Sequence, residues 1–264
     1  MKWIIQSNFL KDDNIGKLAS FLDVHKIPWE QIQIVPFDDS EITEVSSDGI
    51  TVFYGSVGLA RRVAKNNKWK PGVWFEPSKF SFQGILNGYK EHCLNADSLV
   101  LSLEEFVSLN GIKDDKVYFM RPVEDNKSIT GACFTVKQIK ELVDGLREAD
   151  KTNRLQLGSV MQFASPKEIV KETRHFIVDG KVSTSSNYGH GKLLEEPSED
   201  DISFAQKMVE LYQPADVFTL DTCILEDGTR KLVELNCFNS SGFYWADVHK
   251  LTKDITTFLK KKYP

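Results

Sequence analysis

The sequence predicts an α/β fold that gives way to α+β lobes. Three observations carry this expectation. Short apolar runs alternate with helical periodicities through residues 1–95. Strand and helix signals then mix through residues 96–160. Two hairpin signals, VDG and EDG, organise residues 161–264.

In the first segment, residues 3–6, 32–37, 50–54 and 72–75 read as strands. Ile15, Leu18, Ala19 and Leu22 share one face of a helix over 15–25. GSVGLARRVAKNNK opens a second helix through a Gly-Ser turn, and residues 84–94 read as a third. That turn is either an anion cradle beside Arg61 and Arg62 or a plain strand-to-helix turn. The alternation predicts a mostly parallel sheet.

The middle segment begins with a strand at 99–101 and a helix at 103–109. The strand VYFMRP, the polar loop VEDNKSITG, a strand at 132–136 and an amphipathic helix at 136–146 follow. In the last segment SVMQFASP, EIVKETRHFIVDG and KVSTSSNYG read as strands. An acidic S-E-D-D entrance starts a helix over 198–211. VFTLDTCIL and KLVELNCFN form a hairpin around EDGTR, and a helix over 246–262 closes the chain.

The 264 residues are 41% hydrophobic and 27% charged, ordinary for a soluble chain with a substantial core. Net charge is −5, and the three segments carry 11 basic and 11 acidic, 9 and 11, and 13 and 16 groups. No segment has the basic surplus of a polyanion-coating protein, so no nucleic-acid partner is expected. No run approaches the ~18 apolar residues of a membrane span, and MKWIIQSNF lacks signal-peptide features. Cys93, Cys133, Cys223 and Cys237 form no CxxC pair and read as buried reduced thiols. The expected location is cytoplasmic.

The most specific feature is the second hairpin. Glu234 and Asn236 are two apart and point to one side, and the turn returns them opposite Asp221. Converging carboxylates need a cation, and magnesium takes one or two carboxylates plus phosphate oxygens. The plainer reading is a surface hairpin facing water. The run Phe238, Asn239, Ser240, Ser241 and Gly242 adds an apolar anchor and a small loop that admits close approach of a ligand.

LDTCILEDGTRKLVELN resembles the final metal-binding hairpin of the ATP-grasp superfamily. KETRHFIVDGKV resembles its preceding strand pair, and VYFMRP with its polar loop resembles its phosphate-covering strand and loop. Glu172, Arg174 and Phe176, as Glu-x-Arg-x-Phe, look most like a divergent clade of phage and bacterial ATP-grasp proteins. That clade is related to the eukaryotic cell-division-cycle proteins that assemble a translation initiation factor. The motifs fall in family order across residues 96–264.

The resemblance implies an ATP-grasp fold with 1–95 as an N-terminal α/β, pre-ATP-grasp-like domain. Residues 96–160 would be the first lobe, and 161–264 the second lobe with the metal-binding hairpin. It implies ATP and Mg2+ as cofactors, with Asp221, Glu234 and Asn236 holding the metal. Arg121 stands where the family has Lys, keeping the charge and adding a bidentate fork for phosphate. Lys127 is either a second phosphate contact or a solvated loop residue. Gln162, Phe163 and Ala164 match the interlobe linker that meets adenine. Glu168 is either a ribose contact or an exposed turn residue. Glu172 and Arg174 would face the nucleotide, Arg174 at the terminal phosphate, unless they are a plain strand pair. Lys171 and His175 face the other side by alternation, and His190 and Lys192 fall in the loop after Tyr188.

The implied activity is an ATP-dependent carboxylate–amine ligase working through an acyl phosphate, with a peptide or protein among the candidate substrates. The alternative is an ATP-binding assembly factor that docks a protein partner without ligation. Phe243, Tyr244 and Trp245 fit substrate lining, partner contact or core packing.

Overall fold

The computed structural model describes residues 1–8, 13–35, 40–46, 48–123, 130–148, 155–188 and 196–264. Its described strands form three four-stranded sheets. The first is wholly parallel, in the order β2-β1-β3-β4. It is built from β1 (Lys2–Gln6), β2 (Trp29–Ile32), β3 (Ile50–Tyr54) and β4 (Lys70–Gly72). Helices α1 (Asp13–Val24) and α2 (Val57–Asn66) make its crossovers. Short helices α3 (Pro77–Phe80) and α4 (Phe82–Tyr89) follow.

Two of these strands differ from expectation. β2 ends at Ile32 rather than starting there, because it is an edge strand with Glu30 and Gln31 exposed. Such a strand lacks the apolar run by which inner parallel strands are read. β4 stops at Gly72, since Trp74 N donates to Asn239 Oδ1 at 2.8 Å and draws residues 73–75 off the sheet.

The middle sheet is antiparallel, ordered β5-β8-β6-β7. It comprises β5 (Leu99–Ser102), β6 (Val117–Pro122), β7 (Ala132–Thr135) and β8 (Val160–Ala164). Helices α5 (Leu103–Ser108) and α6 (Val136–Glu148) cover one face. Ser102 and Glu105 form a reciprocal cap at the start of α5. This lobe has its own core, in which Phe106 stacks on Phe163 at 3.8 Å.

The last sheet is antiparallel, ordered β10-β9-β11-β12. Its strands are β9 (Ile169–Val178), β10 (Lys181–Tyr188), β11 (Val217–Leu225) and β12 (Arg230–Cys237). Helices α7 (Glu199–Leu211) and α8 (Val248–Lys262) complete it. Asp179 and Gly180 both take positive φ, +50° and +74°, as a two-residue hairpin turn between right-twisted strands requires.

The last sheet is buried on both sides. Ile177, Phe218, Leu220, Leu232 and Leu235 pack against α4 and α7. On the opposite face Phe176, Val178 and Val217 join Trp3, Val52 and Tyr54 of the parallel sheet, with α1 and α8. The first and last sheets therefore share one core. All four cysteines are free thiols; Cys93, Cys223 and Cys237 are buried, but Cys133 is exposed because β7 is an edge strand. Among the described residues no helix is long and apolar enough to cross a membrane.

Candidate active site

Register places the key residues in one row. Asp221 lies opposite Arg174 on β9 and opposite Glu234 on β12. The β11–β12 register shifts beside Asp221, leaving Val233 as an extra residue. Simple alternation would put Leu232 and Glu234 on one face. The bulge instead sends Leu232 into the core under α7 and leaves Glu234 toward the middle sheet.

The row is a connected polar network. Arg174 Nε and Nη2 donate to Asp221 Oδ1 and Oδ2 at 2.8 and 2.7 Å, a two-pronged pair. Asn236 Nδ2 donates to Glu234 Oε1 at 2.8 Å and Asp221 Oδ2 at 3.3 Å. Arg121 Nη1, from β6 of the middle sheet, donates to Glu234 Oε2 at 3.2 Å. The chain from Arg174 to Arg121 thus crosses between two sheets. Arg174 also donates to Gly242 O at 3.3 Å and lies 5.5 and 5.1 Å from the ring centres of Tyr188 and Tyr244.

Exposure divides the network. Asp221 is fully buried and Arg174 8% exposed, whereas Arg121 and Glu234 are 36% and 30% exposed. Burial pushes the Asp221 carboxyl upward, and the Arg174 guanidinium opposes it. Burial also works against the charge on Arg174, but Asp221 more than offsets it and holds the guanidinium above its ordinary value. The two short parallel bonds keep the pair ionised. Burial, then Asp221 and Glu172, raise the Tyr188 phenol, so it stays protonated.

The network gives each of these side chains a partner within the protein. Both Asp221 oxygens accept hydrogen bonds, from Arg174 and from Asn236. Arg174 turns three of its five donors to Asp221 and Gly242. The cation that carboxylate repulsion demanded is supplied by arginines, Arg174 for Asp221 and Arg121 for Glu234. Glu172 lies two residues along the same face, opposite Cys223 and Tyr188. Lys171 and His175 occupy the other face, as alternation predicts.

The linker residues lie on β8 of the middle sheet. Phe163 points into the middle core against Phe106. Gln162 is buried and donates to Ser98 Oγ at 2.9 Å. β8 is an inner strand paired through Gln162 and Phe163 on both sides, so their backbone groups face ladder partners. Ala164, at the strand end, is paired only toward β6. Glu168 is exposed and neighbours Glu226 in the β11–β12 turn, away from the network. Lys127, His190 and Lys192 lie outside the described residues.

The loop after Asn236 is a splice rather than a ligand loop. Asn239 Nδ2 donates to Phe53 O at 2.6 Å, Gly55 N donates to Asn239 O at 2.8 Å, and Tyr54 Oη donates to Ser241 O at 2.7 Å. The Gly-Ser turn is equally structural. A Cβ on Gly55 would sit 2.5 Å from Gln6 Cβ, and Ser56 caps α2. Arg62 is buried with Nε donating to Ser40 O. Sequence reasoning missed Tyr188 as a neighbour of Arg174; its place opposite Glu172 required the β9–β10 register.

The donor set fits a magnesium ion in part. The half-exposed Glu234 carboxylate and the Asn236 amide offer hard oxygens on one strand face. Among the described residues no group of three or more His, Cys, Asp or Glu is placed to hold a metal alone. An ion here would rely on oxygens from a ligand, as magnesium with nucleotide phosphates does.

Two antiparallel sheets meet through the Arg121–Glu234 pair, with acids on one and an arginine on the other, an arrangement suited to clamp a metal–polyanion complex. Comparison specifies the clamp further: a family model described as ATP-grasp domain, R2K clade family 3, matches residues 60–260, and the chain belongs to that family. It is an ATP-dependent ligase by family, with ATP and Mg2+ as cofactors. No curated protein matches its sequence. Among solved structures it is similar to a RimK domain ATP-grasp protein from Sphaerobacter thermophilus, with TM-score 0.66 and 12% identity over 98% of this chain and 100% of that one. D-cycloserine synthetase DcsG gives TM-score 0.64 and 13% identity over 98% and 100%. Macrocyclase MdnC from Microcystis aeruginosa, bound with precursor peptide MdnA, gives 0.59 and 12% over 97% and 99%. At such identities the likeness concerns the fold.

Proposed function

We propose that this ligase joins a carboxylate to an amine or similar nucleophile through an acyl phosphate, on a peptide or protein substrate. The observation that carries the reading is the Arg121–Glu234 pair linking the two sheets. It holds a phosphate-seeking cation against a metal-seeking carboxylate at the partly exposed end of a buried network. Nucleotide and metal entering the cleft exchange these partners without leaving either charge unpaired. The peptide-bound MdnC structure supports the substrate class by fold analogy.

In this reading Arg121 neutralises phosphate oxygens, and Glu234 with Asn236 would hold the ion. Bound magnesium supplies charge neutralisation to the transferring phosphoryl group. Asp221 and Arg174 fix the floor beneath, Asp221 orienting Asn236 through the 3.3 Å bond. The adenine edge is met beyond Ala164, where the ladder releases the backbone. Residues 1–95 act as preamble, and the middle sheet, which ends at β8 and Ala164 rather than at residue 160, forms the clamp with the last sheet.

Glu234→Gln keeps the shape and removes the charge. Magnesium-dependent ATP turnover is expected to fall at least about a hundredfold, with an unchanged circular dichroism spectrum and melting temperature. Turnover equal to wild type would remove Glu234 from the site. Formation of a new bond in step with ADP release separates ligation from nucleotide-gated partner docking.

A further inference from the structure

Beside the network stands an aromatic group that the nucleotide reading leaves unused. Tyr188 and Tyr244 stack with ring centres 5.0 Å apart and planes 8° apart. Trp245 follows, 64% exposed. A large aromatic this exposed forgoes burial that Trp ordinarily gains. Tyr244 takes φ +50°, a left-handed backbone uncommon for a bulky residue and kept only where the surrounding structure over-determines it.

The surroundings hold this conformation rigidly. Phe243 is fully buried and stacks on Tyr54 at 4.8 Å, anchoring the turn from inside. Trp245 N donates to Ser186 Oγ at 3.0 Å, and Asp247 N donates to Thr184 Oγ1 at 3.1 Å. The serine- and threonine-rich strand β10 thus pins the segment that carries the tryptophan. A pinned, exposed aromatic is the kind of residue that anchors a bound partner.

We propose that Tyr244 and Trp245 form the acceptor-side subsite, taking an apolar or aromatic side chain of the substrate whose other end reacts at the phosphate. This rests on the ligase reading. Arg174, 5.1 Å from the centre of the Tyr244 ring, sets that ring beside the network that carries the reacting end. The same guanidinium already fills the cation position over these rings and repels a second cation. The open aromatic surface therefore suits an uncharged apolar side chain, free or within a peptide.

The test is calorimetric titration of the whole protein with phenylalanine, leucine, lysine and glutamate, and with glycine tripeptides carrying each at the centre. Each titration is run with and without Mg2+ and a nonhydrolysable ATP analogue. The expected result is saturable binding of the phenylalanine and leucine probes, with the tripeptide arm showing whether the peptide form is preferred. Trp245→Ala is expected to weaken that binding at least about tenfold, and Trp245→Phe to restore most of it. Nucleotide affinity should stay within about twofold in both variants. Preference for lysine or glutamate, unchanged affinity in Trp245→Ala, or no saturable binding of any apolar probe overturns the proposal. Failure of the analogue to bind the wild type would instead sink the ligase reading, while the titrations without nucleotide still decide the platform.

Discussion

The two faces of the last sheet both bury charge, and they do so to different ends. On the cleft face Arg174 and Asp221 form a buried pair that continues through Asn236 and Glu234 to the half-exposed Arg121. On the face under α7, Asp201 is buried and accepts from Lys171 and Arg230 at 2.9 Å each, while His175 is bonded to Ser185 and Thr222. Every partner in that second group comes from residues 171–230, and helix α7 covers it. Burial and pairing alone therefore do not mark a site. What separates the two is that one network ends on a residue of another sheet.

The sharpest way to break the contrast is Arg174→Ala. It leaves the Asp221 carboxylate buried and without its cation, which costs about 3–5 kcal/mol, and ATP turnover falls with it. Chemical denaturation reads the first effect and ADP release the second. Pairing Arg174→Met with Asp221→Asn removes both charges and should recover most of the stability but none of the turnover. A single-variant loss under about 1 kcal/mol would mean that the pair is more hydrated than its burial indicates.

Asp201→Ala sharpens the contrast from the other side. It removes both cation partners and the reciprocal cap with Ser198 at the start of α7, so a loss of about 2–3 kcal/mol is expected. Turnover measured well below the melting temperature should stay within about twofold. A large loss of activity in a folded Asp201→Ala protein would erase the distinction between the two faces.

The sequence carried the order of elements well, because strand periodicity and turn chemistry are local. Residues 50–54 and 117–122 match β3 and β6 in full, and Ser198 and Ser56 cap their helices. It also brought Asp221, Glu234 and Asn236 together, since a hairpin fixes its own register. What it did not carry were contacts made across the chain. Asp221 pairs with Arg174 from 47 residues away, Glu234 with Arg121 from 113, and Trp74 is drawn off β4 by Asn239 from 165. No local pattern encodes which of two arginines is buried and which stays at the cleft. The Val233 bulge was likewise hidden, because strict alternation is the assumption it violates.

The smallest effect separates the faces by pH. Burial depresses the His175 pKa to about 3; the Asp201 charge opposes this and Lys171 adds to it. An unfolded His titrates near ~6.5, so between about pH 6.5 and 3 the unfolded state binds the proton that the folded state refuses. Stability should therefore fall as pH drops through that window and be unaffected by this group above it. The steepest slope is about 1.4 kcal/mol per pH unit, and the loss between pH 6.5 and 5.5 is about 1 kcal/mol. Asp201, lowered to about 2 with burial opposing its bonds to Lys171, Ser198 and Arg230, loses its contribution only at lower pH. The upper part of the window thus isolates the histidine. In His175→Asn, urea midpoints across pH 7 to 5 should lose that slope, while the magnesium-dependent turnover of the cleft face is preserved at neutral pH. An unchanged slope would show that the proton is taken up elsewhere and that the face under α7 is not sealed.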